Sequence, residues 1–176
     1  MKLKKFKLSD YAQIAEIISA FAIVLSLFFV GFQLRDNAKA TRSATANASI
    51  ASLSAWYAGI GLSEQASANY YTGITNPDAL TPEEWIQFAM GVHGAFLNLQ
   101  NSYYLAEEGT LDHEIRDSIA SVIAATKDQP GFLRYWQQRK PLFFPKFQAY
   151  VDGIIASDQV NSQGLYKKKE PAGTTQ

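Results

Sequence analysis

The hydrophobic pattern is dominated by residues 17 to 34, IISAFAIVLSLFFVGFQL, eighteen positions without a formal charge between Glu16 and Arg35. As an α-helix they cover roughly 27 Å, close to the hydrocarbon thickness of a bilayer. A membrane span, a cleaved export signal and a soluble core helix are the three readings of such a stretch. Core helices usually keep a polar stripe, whereas this one is nearly apolar around its circumference. A cleaved signal needs a small-residue site directly after its apolar region, yet Arg35, Asp36, Lys39 and Arg42 precede the "ANA" at Ala46 to Ala48. The pattern therefore predicts a retained transmembrane helix over 12–35, preceded by a basic segment over 1–11 that holds Lys2, Lys4, Lys5 and Lys7.

The span has a face. At 100° per residue, Ala15, Ser19, Ala22, Ser26 and Gln33 fall within about 40° of one line. Hydrophobic forces do not draw helices together in lipid, so small side chains with hydroxyl or amide groups mark helix-packing faces. Leu25, Phe28, Phe32 and Leu34 would then meet lipid. Chance placement of Ala and Ser in a tolerant anchor yields the same pattern, and both readings stay open.

Downstream, an Ala-rich stretch without proline allows the anchor to continue into the domain as one helix, with Ala40, Ala44 and Ala48 as a small-residue ridge. Ile50, Leu53, Tyr57, Ile60 and Tyr71 are expected to line one inward face, with Gly59 and Gly61 weakening the helix. TNPDALTPEEW reads as a break and a helix start: Thr81 as N-cap, Pro82 at the first helical position, Glu84 closing a capping box. Trp85, Phe88, Val92, Phe96, Leu99 and Tyr103 form the apolar stripe of that helix, opposite Gly91, Gly94 and Asn98, and Gly109 ends it. Another helix starts near Asp112 with Ile115, Ile119, Val122 and Ile123 inward. Two shorter segments follow, each opened by a proline. The expectation is an all-α fold: a transmembrane helix, a helical bundle domain over 36–156, and a polar, disordered tail over 157–176.

Charge refines this picture. The 176 residues sum to zero, but residues 1–42 carry seven Lys/Arg against three Asp/Glu, leaving the rest mildly acidic. That balance argues against nucleic acid, which needs clustered basic residues. Four lysines before the span and three basic residues after it give a slight positive-inside bias, which predicts a cytoplasmic N-terminus and an extracytoplasmic domain. The chain has no cysteine, so disulfides and thiolate metal sites are excluded.

Candidate chemistry is sparse. His93 has no His or carboxylate four residues away and reads as a packed histidine rather than a metal ligand. His113 stands beside Asp112 and Glu114, a capping cluster. Glu107 and Glu108 are adjacent on a helix and point apart, unlike an acid–base pair. The "GIG" at 59–61 lacks the lysine of a P-loop, and no G-x-S-x-G occurs. No catalytic residue, metal ligand or cofactor is expected. The densest oddity is GFLRYWQQRKPLFFPKF, with Phe132, Tyr135, Trp136, Phe143, Phe144 and Phe147 interleaved with Arg134, Arg139, Lys140 and Lys146. It reads either as a membrane-surface belt or as core with cation–π pairing, the flanking prolines favouring a compact corner.

The order AEIISAFAIVLSLFFVGFQLRDNAKATR, NSYYLAEEGTLD and PGFLRYWQQRKPLFFPKFQAYVD, over roughly residues 10 to 155, resembles a group of uncharacterised bacterial membrane-anchored helical proteins. The resemblance implies a bacterial inner-membrane location and an anchor-plus-bundle layout, and it carries no activity. The functional expectation is a non-enzymatic single-pass interaction protein, an accessory subunit or scaffold whose partners are membrane lipid and other transmembrane helices. The alternative is a membrane-anchored ligand-sensing bundle acting through a partner, with a pocket lined by His93, Asn98 and Tyr103.

Overall fold

The computed structural model describes residues 8–157 together with Tyr166; the basic start and nearly all of the polar tail lie outside the described residues. The fold is all-α: α1 (Leu8–Gly61), α2 (Glu64–Thr75), α3 (Pro82–Glu107), α4 (His113–Thr126), α5 (Pro130–Arg139) and α6 (Pro145–Ala156), with 3₁₀ turns at Pro77–Ala79 and Lys140–Leu142. The contacts divide the chain into a unit through Ser43 and a unit from Ala44 onward. The proline-free stretch is indeed helical throughout, so α1 crosses that boundary without a break.

The described residues of the first unit are all helical, and the whole apolar stretch from Ile17 to Leu34 is exposed. The second unit holds the core. Its helix ends follow the sequence signals. Thr81 and Glu84 make the reciprocal capping box, at 3.3 and 2.9 Å. Gly109 takes φ +70, and the amides of Gly109 and Thr110 return to Ala106 O and Leu105 O, closing a Schellman stop that a β-carbon would strain. Asp112 Oδ1 accepts the Glu114 amide at 2.8 Å and starts α4. Gln100 of α3 accepts the amide of Phe144, fixing the start of α6 against the long helix.

The α3 stripe is the keel of the core. Phe88, Val92, Phe96 and Leu99 are buried, with Trp85 and Tyr103 packed at its ends. Phe96 lies within 5.1 to 6.4 Å, centroid to centroid, of Phe132, Tyr135, Trp136, Phe143 and Phe147. The aromatic–basic stretch is thus core, not a membrane-facing belt. Its prolines turn the chain between α5 and α6, where Asp152 accepts from Trp136 Nε1 at 2.9 Å and from Lys140 Nζ at 2.5 Å. Arg134 stacks on Trp85 at 5.3 Å.

One expected face is corrected. Of Ile50, Leu53, Tyr57, Ile60 and Tyr71, Leu53 packs against the core, whereas Ile50, Tyr57 and Tyr71 are exposed. Tyr71 belongs to α2, and α1 turns Ser49, Leu53, Trp56 and Ile60 toward the domain instead. Its inward face includes serines, so a count of apolar side chains places the face about one residue off.

Two glycines set how closely α2 and α5 approach. A β-carbon at Gly131 would overlap the carbonyl oxygen of Gly73 and stand 2.8 Å from Ile74 Cα; one at Gly73 would enter the buried ring of Phe88. Backbone cannot yield as a flexible side chain can, so Gly131→Ala is expected to cost about 1–3 kcal/mol. Gly153 has open space around its Cβ position, so Gly153→Ala should leave stability unchanged or raise it by up to about 1 kcal/mol. Denaturant midpoints of the two purified variants test this, and an unaltered midpoint for Gly131→Ala would remove the contact from the account.

Candidate functional site

The exposed helix carries the predicted stripe, and Ala15, Ser19, Ala22, Ser26 and Gln33 are all exposed. Ser19 Oγ donates to Ala15 O at 2.8 Å and Ser26 Oγ donates to Ala22 O at 2.9 Å. Each serine therefore satisfies its hydroxyl proton within the helix, one turn back, on a carbonyl of another stripe residue. In a hydrocarbon medium that arrangement leaves no orphan hydroxyl donor at either serine. The face offers low relief and acceptor lone pairs rather than free hydroxyl donors.

In the second unit, the last turns of α1 meet α3 along a seam that is polar at one end. Ser52 Oγ donates to Asn98 Oδ1 at 2.7 Å, and Trp56 Nε1 donates to Gly91 O at 2.7 Å. The small-residue side of α3 at Gly91 and Asn98 thus receives α1. Thr45, Ser49, Ser52, Asn98 and Ser102 line an open groove of about 280 Å³ there, and the buried Ser49 Oγ has no hydrogen-bond partner among the described residues.

His93 stands at the edge of the aromatic core, with Nδ1 2.8 Å from the hydroxyl of the fully buried Tyr135 and its ring 5.2 Å from Phe143. Burial, then the nearby Arg139 charge, lowers its pKa; burial raises that of Tyr135. The pair forms a hydrogen bond at the edge of the core, and among the described residues no hydrogen bond links His93 to a carboxylate. Glu107 faces Arg116 at 3.7 Å, and Arg116 also bonds Asp117. Among the described residues, no group of three His, Asp or Glu side chains is placed to hold a metal ion.

No family model, curated protein or solved structure matches the chain. What the site can do rests on its own geometry.

Sequence reasoning missed the seam. Trp56 joins α1 to α3 beside Ser52, and its signal was a lone tryptophan three residues after Leu53. In the ligand-sensing alternative, Asn98 and Tyr103 would share a pocket with His93. They occupy separate neighbourhoods: Asn98 in the seam, Tyr103 against Tyr150 at 4.8 Å, His93 against Tyr135.

The lowered pKa of His93 has a consequence with a definite sign. An unfolded histidine titrates near 6.5, so between the folded value and about 6.5 the unfolded chain binds more protons. The His93 contribution is complete above about pH 6.5 and is lost as pH falls through that interval. Thermal unfolding at about pH 7.5 and 5.5, on either side of the unfolded value, should show a smaller loss of stability on acidification for His93→Asn than for the natural chain. Equal losses would assign the acid sensitivity to other groups.

Proposed function

We propose that the protein is a non-enzymatic, single-pass membrane interaction protein of bacterial type, an accessory subunit or scaffold that packs through its span, and through its helical domain, with itself or a larger membrane complex. The observation that carries this reading is the exposure of the entire apolar helix. Among the described residues, one helix is long and apolar enough to cross a membrane, its most apolar eighteen-residue window has a mean hydropathy of 2.4, and none of that window is buried. At about 25 cal/mol per Å², that surface is costly to leave in water, whereas the core from Ala44 onward is filled by its own side chains. The stripe of small residues with internally bonded hydroxyls supports close approach of a second helix. The mildly acidic domain supports a role without nucleic acid. The ligand-sensing alternative built on His93, Asn98 and Tyr103 loses support, because the three side chains have separate partners in Tyr135, Ser52 and Tyr150.

The topology follows the charge bias, with the N-terminus cytoplasmic and the domain extracytoplasmic, in the inner membrane. Alkaline carbonate washing should leave the chain in the membrane pellet, and a reporter active only outside the cytoplasm should work when fused after Ser157. Release into the supernatant sinks the anchor, and activity of a cytoplasm-only reporter reverses the orientation.

The stripe is tested separately. Ala22→Leu and Ser26→Leu add bulk where backbones approach and should weaken association, on the order of 1 kcal/mol each, with the double variant weaker still. Leu25→Ala, on a lipid-facing side, is the matched control. Particle size and partner recovery in mild detergent are the readout; the same behaviour in all variants would reduce the span to a tether and assign association to the domain.

A further inference from the structure

An open groove of about 620 Å³ lies between α4 and α6. On the α4 side Asp117, Ala120, Ala124 and Lys127 recur every three or four positions, and the rise from Asp117 to Lys127 gives the groove a length of roughly 15 Å. Small residues keep it open. Ala149 and Gly153 line it from α6, and a β-carbon at Gly153 would meet nothing within 4 Å.

The two charged residues of the groove are unlike. Asp117 is neutralised by Arg116 at 2.8 Å and accepts from the Tyr150 hydroxyl at 3.4 Å. Lys127 has no such counterpart: among the described residues the ion pairs belong to Arg116, Arg134 and Lys140. Yet Lys127 is 9% exposed, the one buried charged residue among those described, and lysines are almost never buried without a partner. Water can hydrate an ammonium but does not neutralise it. Nor is this ammonium sealed off. The unpartnered side-chain polar atoms without surface are Ser49 Oγ and Asn69 Oδ1, so Lys127 Nζ keeps a surface that a ligand can reach.

We propose that the groove binds a free, medium-length aliphatic carboxylic acid as its anion, with the carboxylate on Lys127 Nζ and the hydrocarbon laid along the alanines and Gly153. The anion follows from the uncompensated cation, whose donors suit acceptor-only carboxylate oxygens. A slender hydrocarbon follows from the small side chains of the floor. A single charge follows from the far end, where Asp117 would repel a second carboxylate. The site goes beyond the membrane reading and does not depend on it, because every lining residue belongs to the unit from Ala44 onward.

Octanoate and its uncharged counterpart octanamide are suitable probes at about pH 7.5, where the acid is ionised. Equilibrium dialysis against the full chain in zwitterionic nanodiscs measures binding, and empty nanodiscs measure partition into lipid alone. Octanoate should bind saturably in excess of that partition and roughly tenfold tighter than octanamide, the ratio a charge-assisted hydrogen bond supplies. Lys127→Gln should erase the preference, whereas Lys146→Gln, at an exposed lysine of α6 outside the groove, should keep it. Gly153→Leu has room to fold and fills the groove, so it should abolish binding of both probes. Absence of saturable octanoate binding, equal affinity for the two probes, a preference that persists in Lys127→Gln, or binding that survives Gly153→Leu would each overturn the proposal.

Discussion

The helical domain is organised by the approach of Gly131 to the carbonyl of Gly73, because that contact sets the separation of α2 and α5 at backbone distance. Everything packed between these helices and α3 inherits the spacing. With α5 drawn in, Phe132, Tyr135 and Trp136 reach the ring of Phe96 from one side, while Phe143 and Phe147 arrive from the α6 side. The same closeness presses Gly73 on Phe88, whose ring lies 6.0 Å from that of Tyr70. The spacing of the core thus turns on two missing β-carbons.

Around that core the polar contacts act as stops. The Asp152 carboxylate ties Trp136 to Lys140 and is held below the usual carboxylate range, by the Lys140 hydrogen bond first and the Trp136 hydrogen bond second. Arg116 lies over Tyr150 at 5.4 Å and bonds Asp117. Such contacts are partly exposed and of modest energetic weight, but they orient the rings whose burial supplies the larger gain. His93 belongs to this group, a polar edge of the aromatic cluster whose neutrality follows from burial beside Arg139.

Much of the fold was legible in the sequence, and the reasons are local. The capping box at Thr81, the prolines at 82, 130 and 145 and the glycine at 109 each impose a backbone state regardless of tertiary context, so α3, α5 and α6 begin where those residues say. The long apolar run was equally plain, and so was the stripe upon it. What could not be read was contact between remote segments. The inward face of α1 includes Ser49, and hydrophobic periodicity is blind both to a buried serine and to Ser52, whose partner Asn98 lies 46 residues away. Asn69, mid-helix among small polar residues, gave no sign of being buried; its environment is assembled from α1 and α3. The glycine pair at 73 and 131 was invisible for the same reason.

The seam between Thr45 and Ser52 gives the domain a zipper with unequal teeth. At the Leu53–Trp56 end, separation would wet apolar carbon and break the Trp56 hydrogen bond to Gly91. Toward Thr45 it would hydrate hydroxyls and amides beside Ala48 and Leu105, the Ser49 Oγ among them. Fluctuations should begin at the serine end and stall at the tryptophan, sparing the aromatic core. The polypeptide thus contains a stretch that opens more readily at one end than at the other, with the aromatic core the last part to be reached.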